Sequence, residues 1–169
     1  QDPNAPVRDV SLPFAQIAPP PGTFVLRGTR PDGQIEFGVR SDEVVSQAML
    51  DMEFTPSPAL IPVESHVKVY LNDELMGVTT IAKEQLGKPN RIQMAIDPRY
   101  ITDFNRVRLV FVGHYQNICE NPASTSLWLD VSKSSALKLR FQTLPVKNEL
   151  SHFPEPFFDS RDNRPLTLP

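Results

Sequence analysis

Apolar and polar residues alternate along most of this chain with a period of two, the signature of strands with one buried face. The clearest run is Ser65 to Ile81, where Val67, Val69 and Leu71 alternate with His66, Lys68 and Tyr70. Asn72, Asp73 and Glu74 then supply a turn, because Asn and Asp tolerate left-handed backbone and bond their own main chain. The run resumes from Leu75 to Ile81, with Gly77 as a kink or bulge. The pattern predicts a β-hairpin, and other segments repeat its logic.

Upstream, Val10, Leu12 and Phe14 alternate with Asp9, Ser11 and Pro13, and Pro13 keeps that strand at a sheet edge. The cluster Ala18 to Gly22 breaks it, and Phe24 to Gly28 forms a short strand. Arg30-Pro31-Asp32-Gly33-Gln34 reads as a turn, since Pro presets φ and Gly accepts positive φ. Ile35, Phe37 and Val39 share one face, opposite Gln34, Glu36 and Arg40. Ala48, Leu50, Met52 and Phe54 form the next buried face, with Met49, Asp51 and Glu53 opposite, and Pro56 to Pro62 is a loop.

Downstream of the hairpin, Ala82 to Leu86 fits one helical turn closed by Gly87. Ile92, Met94 and Ile96 alternate again, and Asp97-Pro98 caps a short turn over Pro98 to Thr102. From Asn105 to Val112, the residues Val107, Leu109 and Phe111 face inward. Val110 and Val112 make the other face apolar too, which predicts a central strand covered on both sides. Gly113 to Thr125 is a long irregular connection, and Leu127 to Val131 and Leu137 to Phe141 are the last strands. About ten short strands with almost no helix predict an all-β fold, an antiparallel β-sandwich of jelly-roll type. Residues 1–9 read as a tail, 10–144 as the jelly-roll domain and 145–169 as a Pro-rich linker toward a following domain.

Composition narrows the chemistry. The chain has 169 residues, 40% hydrophobic and 22% charged, with 18 prolines that cluster at both ends and around Pro56 to Pro62. A net charge of −3 with no cluster of Lys and Arg argues against a nucleic-acid partner. The single cysteine, Cys119, has no partner for a disulfide within the chain. No apolar run is long enough to span a membrane, and a start at Gln1 reads as a processed or excised piece of something longer.

Catalytic patterns are weak. Cys119 has no flanking signature beyond His114 five residues away, and His66, His114 and His152 have no metal-ligand spacing. Glu36, Asp51, Glu53 and Asp130 fall on outward strand faces, where a solvated charge is the simpler reading than a facing acid pair. No glycine-rich phosphate loop is present, and no cofactor or metal is expected. Sugar contact asks for something else: planar aromatics, outward on a sheet or loop, that meet the apolar C–H face of a pyranose. Trp128 shares the polar face of its strand with Ser126 and Asp130. Tyr70 points outward between Lys68 and Asn72, and Tyr100 and Tyr115 lie in loops, where binding residues gather. Trp128, Tyr115, Tyr70 and Tyr100 are therefore the candidate carbohydrate-binding residues. For each of them, packing under a loop or strand is the competing reading.

The run Val69 to Gly77, the run Asp103 to Leu109, Gly113-His114-Tyr115-Gln116 with Cys119-Glu120-Asn121-Pro122, Ser126 to Asp130 and Leu150 to Asp159 together resemble the periplasmic B subunit of bacterial cellulose synthase. The match runs in order from about Val7 to Pro169. The resemblance implies an exported, non-catalytic subunit in the periplasm, held at the inner membrane by an anchor outside this chain, in which jelly-roll carbohydrate-binding-like domains alternate with flavodoxin-like ones. It implies as partners the catalytic subunit of cellulose synthase, the nascent cellulose it helps to guide, and other copies of itself. Members often carry the label cyclic di-GMP-binding protein. The signature for that nucleotide pairs Arg-x-x-x-Arg with Asp/Asn-x-Ser-x-x-Gly. Here Asp130-Val131-Ser132 begins the second half, Ser135 stands in place of the glycine, and no Arg-x-x-x-Arg precedes it. The partial match is read as coincidence. A module for subunit assembly alone, working through the exposed aromatics and the Gly113 to Thr125 loop, is the alternative function.

Overall fold

The alternation resolves into ten strands in the computed structural model, which describes residues 6–19 and 24–144. They are β1 (Val7–Pro13), β2 (Phe24–Arg27), β3 (Asp32–Gly38), β4 (Glu43–Pro56), β5 (His66–Leu71), β6 (Glu74–Thr80), β7 (Asn90–Ile96), β8 (Phe104–Val112), β9 (Trp128–Val131) and β10 (Ala136–Thr143). One turn of helix, α1 (Phe14–Ile17), and two 3-10 turns, Lys83–Gln85 and Pro98–Tyr100, complete the regular structure. The linker expected over 145–169 lies outside the described residues.

All strand pairs are antiparallel and form two sheets. The first runs β1-β10-β4-β9-β2, with β7 on the other edge of β4; the second runs β3-β8-β5-β6. Leu50, Met52 and Phe54 of β4, Leu129 and Val131 of β9 and Leu137 and Leu139 of β10 are buried from the first sheet. Ile35 of β3, Val67, Val69 and Leu71 of β5 and Val107, Leu109 and Phe111 of β8 meet them from the second. Each such side chain contributes about 1.5–3 kcal/mol by leaving water. The chain is an all-β antiparallel sandwich, as its alternation requires.

The hairpin forms as read. Asn72 and Asp73 both take positive φ, 50° and 71°, the backbone of a two-residue hairpin turn. The ladder shifts between Val69 and Tyr70, beside Gly77. A Cβ on Gly77 would lie 2.8 Å from Met94 Sδ, so the Met94 side chain of β7 packs over the bare backbone there.

Four readings need correction. Of the turn expected at Arg30-Pro31-Asp32-Gly33-Gln34, Asp32 to Gln34 belong to β3: Gly33 pairs with Leu109, and the turn lies at Gly28-Thr29, closed by two bonds between Arg27 and Arg30. Gly33 is small because the Phe24 ring stands 2.8 Å from where its Cβ would be, not because its φ is positive. Phe14 does not extend β1 but turns into α1, fully buried, with its N–H bonded to Ser135 O. β1 starts at Val7, because Val7 to Asp9 pair with Gln142 to Arg140 and the Arg140–Asp9 ion pair holds them. β8 is central, between β3 and β5, but no further layer covers its outer face among the described residues.

β9 and β10 are one strand interrupted. β9 pairs with β4 at Phe54 to Pro56 and β10 pairs with it at Glu43 to Asp51. Between them Ser132 to Ser135 loop outward, which would strand the main chain of Glu53. Ser132 N–H bonds Glu53 O at 2.8 Å. The buried Ser135 hydroxyl accepts from Glu53 N–H at 2.9 Å and sits 3.3 Å from Glu53 O. A side chain thus stands in for the missing backbone partner. Replacing Ser135 by alanine is expected to lower unfolding free energy by about 1–3 kcal/mol, the cost of a buried unpaired group. Urea unfolding measures it, and an unchanged midpoint would show that the hydroxyl does not hold the bulge.

Candidate functional site

The four candidate residues stand apart. Trp128 begins β9 facing away from the buried Leu129 and Val131, in register with Arg27 and half-buried on the outer side of the first sheet. Tyr115 packs against the core, and its hydroxyl accepts the N–H of Asn121 at 2.9 Å, so it works as a strut of its own loop. Tyr70 lies on the outer face of the second sheet with the Arg108 guanidinium 4.6 Å from its ring centre, a cation–π stack. Tyr100 is 44% exposed in its 3-10 turn, and its carbonyl accepts from Asn72 Nδ2 at 2.9 Å. The bond from Asn72 to the Tyr100 carbonyl therefore brings Tyr100 to the end of the second sheet near which Tyr70 lies. The fold puts Trp128 on the opposite layer and Tyr115 at the opposite end.

That end of the second sheet is braced by two asparagines. Asn105 is buried and bonds Thr102 O, Phe37 O and, through Oδ1, the N–H of Thr102 and Nδ2 of Asn72. Asn72 Oδ1 accepts the Arg106 N–H at 2.9 Å. Above this clasp opens a cleft of about 500 Å³ lined by Glu36, Phe37, Gly38, Asn72, Phe104, Asn105 and Arg106. Phe104 is 87% exposed. Sequence reading passed over it because the apolar period of β8 starts at Val107. Continued backward, that period turns Asn105 inward and Phe104 outward, an inversion that was the available signal.

The outer side of the first sheet carries a trough of about 900 Å³. Ser11, Gln47, Met49, Gln93, Ala95 and Lys138 are among its walls, and none of its lining residues is aromatic. Beside it lies Asp51, only 6% exposed, with Arg91 donating to Oδ1 at 3.0 Å and Lys138 3.2 Å from Oδ2. Arg91 also reaches Glu53 Oε1 at 3.1 Å. Burial pushes the Asp51 carboxyl up, but the hydrogen bonds and charges of Arg91 and Lys138 together outweigh it and hold it below its ordinary value. Asp51 and Glu53 share one cation side by side. They do not face each other across a cleft as a hydrolytic pair must.

The Gly113 to Thr125 connection is braced from within. Glu120 Oε2 accepts the N–H groups of Tyr115 at 2.7 Å and Gln116 at 3.2 Å, and Oε1 meets His114 Nδ1 at 2.9 Å. The His114 bond first, then those N–H groups, hold the Glu120 carboxyl below its ordinary value. Gln116 bonds the carbonyls of Ile118 and Cys119. The loop thereby presents Ile118, 76% exposed, and the free thiol of Cys119 to solvent. Among the described residues no group of three His, Cys, Asp or Glu side chains is placed to hold a metal, and no helix is long and apolar enough to cross a membrane.

Comparison with known proteins adds a family. The family model described as "Cellulose synthase BcsB, first CBM domain" matches residues 7–143. An Escherichia coli protein named cyclic di-GMP-binding protein is 69% identical over 166 residues, 98% of this chain and 21% of that protein. A Pseudomonas fluorescens protein of the same name is 39% identical over 147 residues, 87% of this chain and 20% of its own length. The chain thus spans about a fifth of the length of the curated relatives it matches. Among solved structures, a family 35 carbohydrate binding module from Clostridium thermocellum aligns with a TM-score of 0.41 and 8% identity, over 78% of this chain and 97% of that one.

The Asp51 cluster has a pH signature. A carboxyl held below its unfolded value, about 3.9, adds stability that is complete above that pH and lost as pH falls through the lower folded value. Asp51→Asn is expected to destabilise the domain at pH 7 and to close the gap to wild type as pH drops below about 4. Urea midpoints between pH 7 and 3 check this, and a gap independent of pH would detach the effect from ionisation.

Proposed function

The chain belongs to the family of the first CBM domain of the cellulose synthase protein BcsB, and from that premise we propose that it is a non-catalytic module that contacts and guides the exported β-1,4-glucan. In the whole protein it would stand in the periplasm beside the catalytic subunit, attached to the inner membrane through a segment outside this chain. The observation that carries the glucan reading is the outer face of the second sheet. It presents the Tyr70–Arg108 stack with Tyr100 at its end, and no further layer covers it among the described residues. An aromatic ring offers an apolar plate to a pyranose, and the charged and amide groups around it can bond the hydroxyls. Trp128 lies on the other layer, so one straight glucan strand cannot lie on both.

The second reading, an assembly module without glycan binding, draws on the braced loop that holds Ile118 in solvent. A rigid, exposed aliphatic side chain is a fair anchor for a neighbouring copy or subunit.

Calorimetric titration with cellohexaose separates the two. Wild type is expected to bind, Tyr70→Ala to lose about threefold to tenfold in affinity, and Trp128→Ala to change by less than about twofold. Loss on Trp128→Ala alone would move the contact to the first sheet, and no binding at millimolar sugar would remove the glycan reading. Self-association of the wild-type chain that Ile118→Asp abolishes, measured by sedimentation, would favour the assembly reading instead.

A further inference from the structure

We propose that the cleft at the Phe104 end of the second sheet is a pyranose subsite, with the Phe104 ring as its stacking plate and Glu36 and Arg106 as its hydrogen-bonding walls. The inference deepens the glucan reading and rests on it. A single exposed aromatic is ordinary on a protein surface; the surroundings of this one are not.

Phe104 pairs across the ladder with Gly38. An aromatic opposite a glycine commonly folds over it to cover the bare backbone. Phe104, 87% exposed, does not, so its ring stands free. Nothing local demands glycine at 38 either. Its φ is not in the left-handed region, and an added Cβ would meet only Asp103 O, at 3.4 Å, an ordinary contact. Glycine in a strand weakens it. What the missing side chain does here is keep open the space beside the ring, as expected where a ligand must approach.

The walls have hydrogen-bonding capacity to spare. Glu36 and Arg106 face each other in register on the same outer face. Glu36 takes one bond from Gln34 Nε2 at 2.9 Å, and Arg106 gives one of its five N–H groups to Asp73 at 3.3 Å. The floor is fixed by the Asn72–Asn105 clasp, which holds in place the backbone that carries the ring and Arg106. One ring among a carboxylate, a guanidinium and amides matches the apolar face and hydroxyl rim of a sugar. A protein partner would ask for a wider apolar patch.

The test uses the full 169-residue chain, cellohexaose as probe, and four variants: Phe104→Ala, Phe104→Trp, Gly38→Thr and Tyr70→Ala. Gly38→Thr is expected to melt no lower than wild type, since a β-branched residue favours a strand, yet to bind about threefold to tenfold more weakly because it fills the cleft. Phe104→Ala should lose a similar factor and Phe104→Trp should retain affinity. If wild type binds and Tyr70→Ala weakens it while Phe104→Ala and Gly38→Thr do not, the subsite is wrong and the glucan reading stands. If wild type does not bind, both fall. If those two substitutions abolish self-association and leave sugar affinity unchanged, the ring is a contact between copies and the subsite is overturned.

Discussion

The first sheet, and with it the inner face on which the second sheet packs, is placed by the pairing of one strand, β4. Its 14 residues take β10 and then β9 along one edge and β7 along the other. The interruption between β9 and β10 is possible only because the Ser135 hydroxyl and Ser132 N–H bond the stranded main chain of Glu53. An unpaired amide in that position would cost about as much as a buried methyl cluster contributes. With the bulge held, Leu129 and Val131 stay in phase with Leu137 and Leu139, and all face the second sheet. A slip of one residue would turn them outward.

The two outer faces then differ in how their charges are used. On the first sheet Asp51 is closed by Arg91 and Lys138, Asp9 by Arg140 and Glu43 by Arg8. The charges around the trough between them are thus paired with one another, and have little reason to exchange those partners for a ligand. On the second sheet the contacts are looser: a 3.3 Å pair from Arg106 to Asp73, a guanidinium over the Tyr70 ring, and an open Phe104. Groups with spare hydrogen-bonding capacity beside a free ring are better suited to an incoming polyhydroxylated chain.

The sequence made the layers legible because burial acts residue by residue along a strand. Val67, Val69 and Leu71, or Leu50, Met52 and Phe54, need only the period of two to declare their face. Close approach between distant segments is not written locally. Gly33 looks like a turn residue until the Phe24 ring is seen beside it, and nothing near Gly28 in sequence shows that Pro122 O would block a side chain there. The site suffered more. Tyr115 reads as a loop aromatic, and only the fold shows that its hydroxyl ties Asn121. Phe104 and Gly38 are distant in sequence, and only the β3–β8 register brings them together.

Glycan contact and assembly also need not compete for the same surface. β8 carries Phe104 at one end and leads into the Gly113 to Thr125 loop at the other, and its 9 residues set them roughly 30 Å apart. His114 N–H bonds the Ser65 hydroxyl and Ile61 N–H bonds His114 O, which ties the loop to the far end of the sandwich. A neighbour seated on Ile118 would leave the Phe104 cleft open. A strand lying along the second sheet from Phe104 past Tyr70 would run toward that neighbour. Rigid antiparallel pairing along β8 keeps the two ends at a fixed distance, so a module of this kind can hold a neighbour at one end and steer a chain at the other without changing shape.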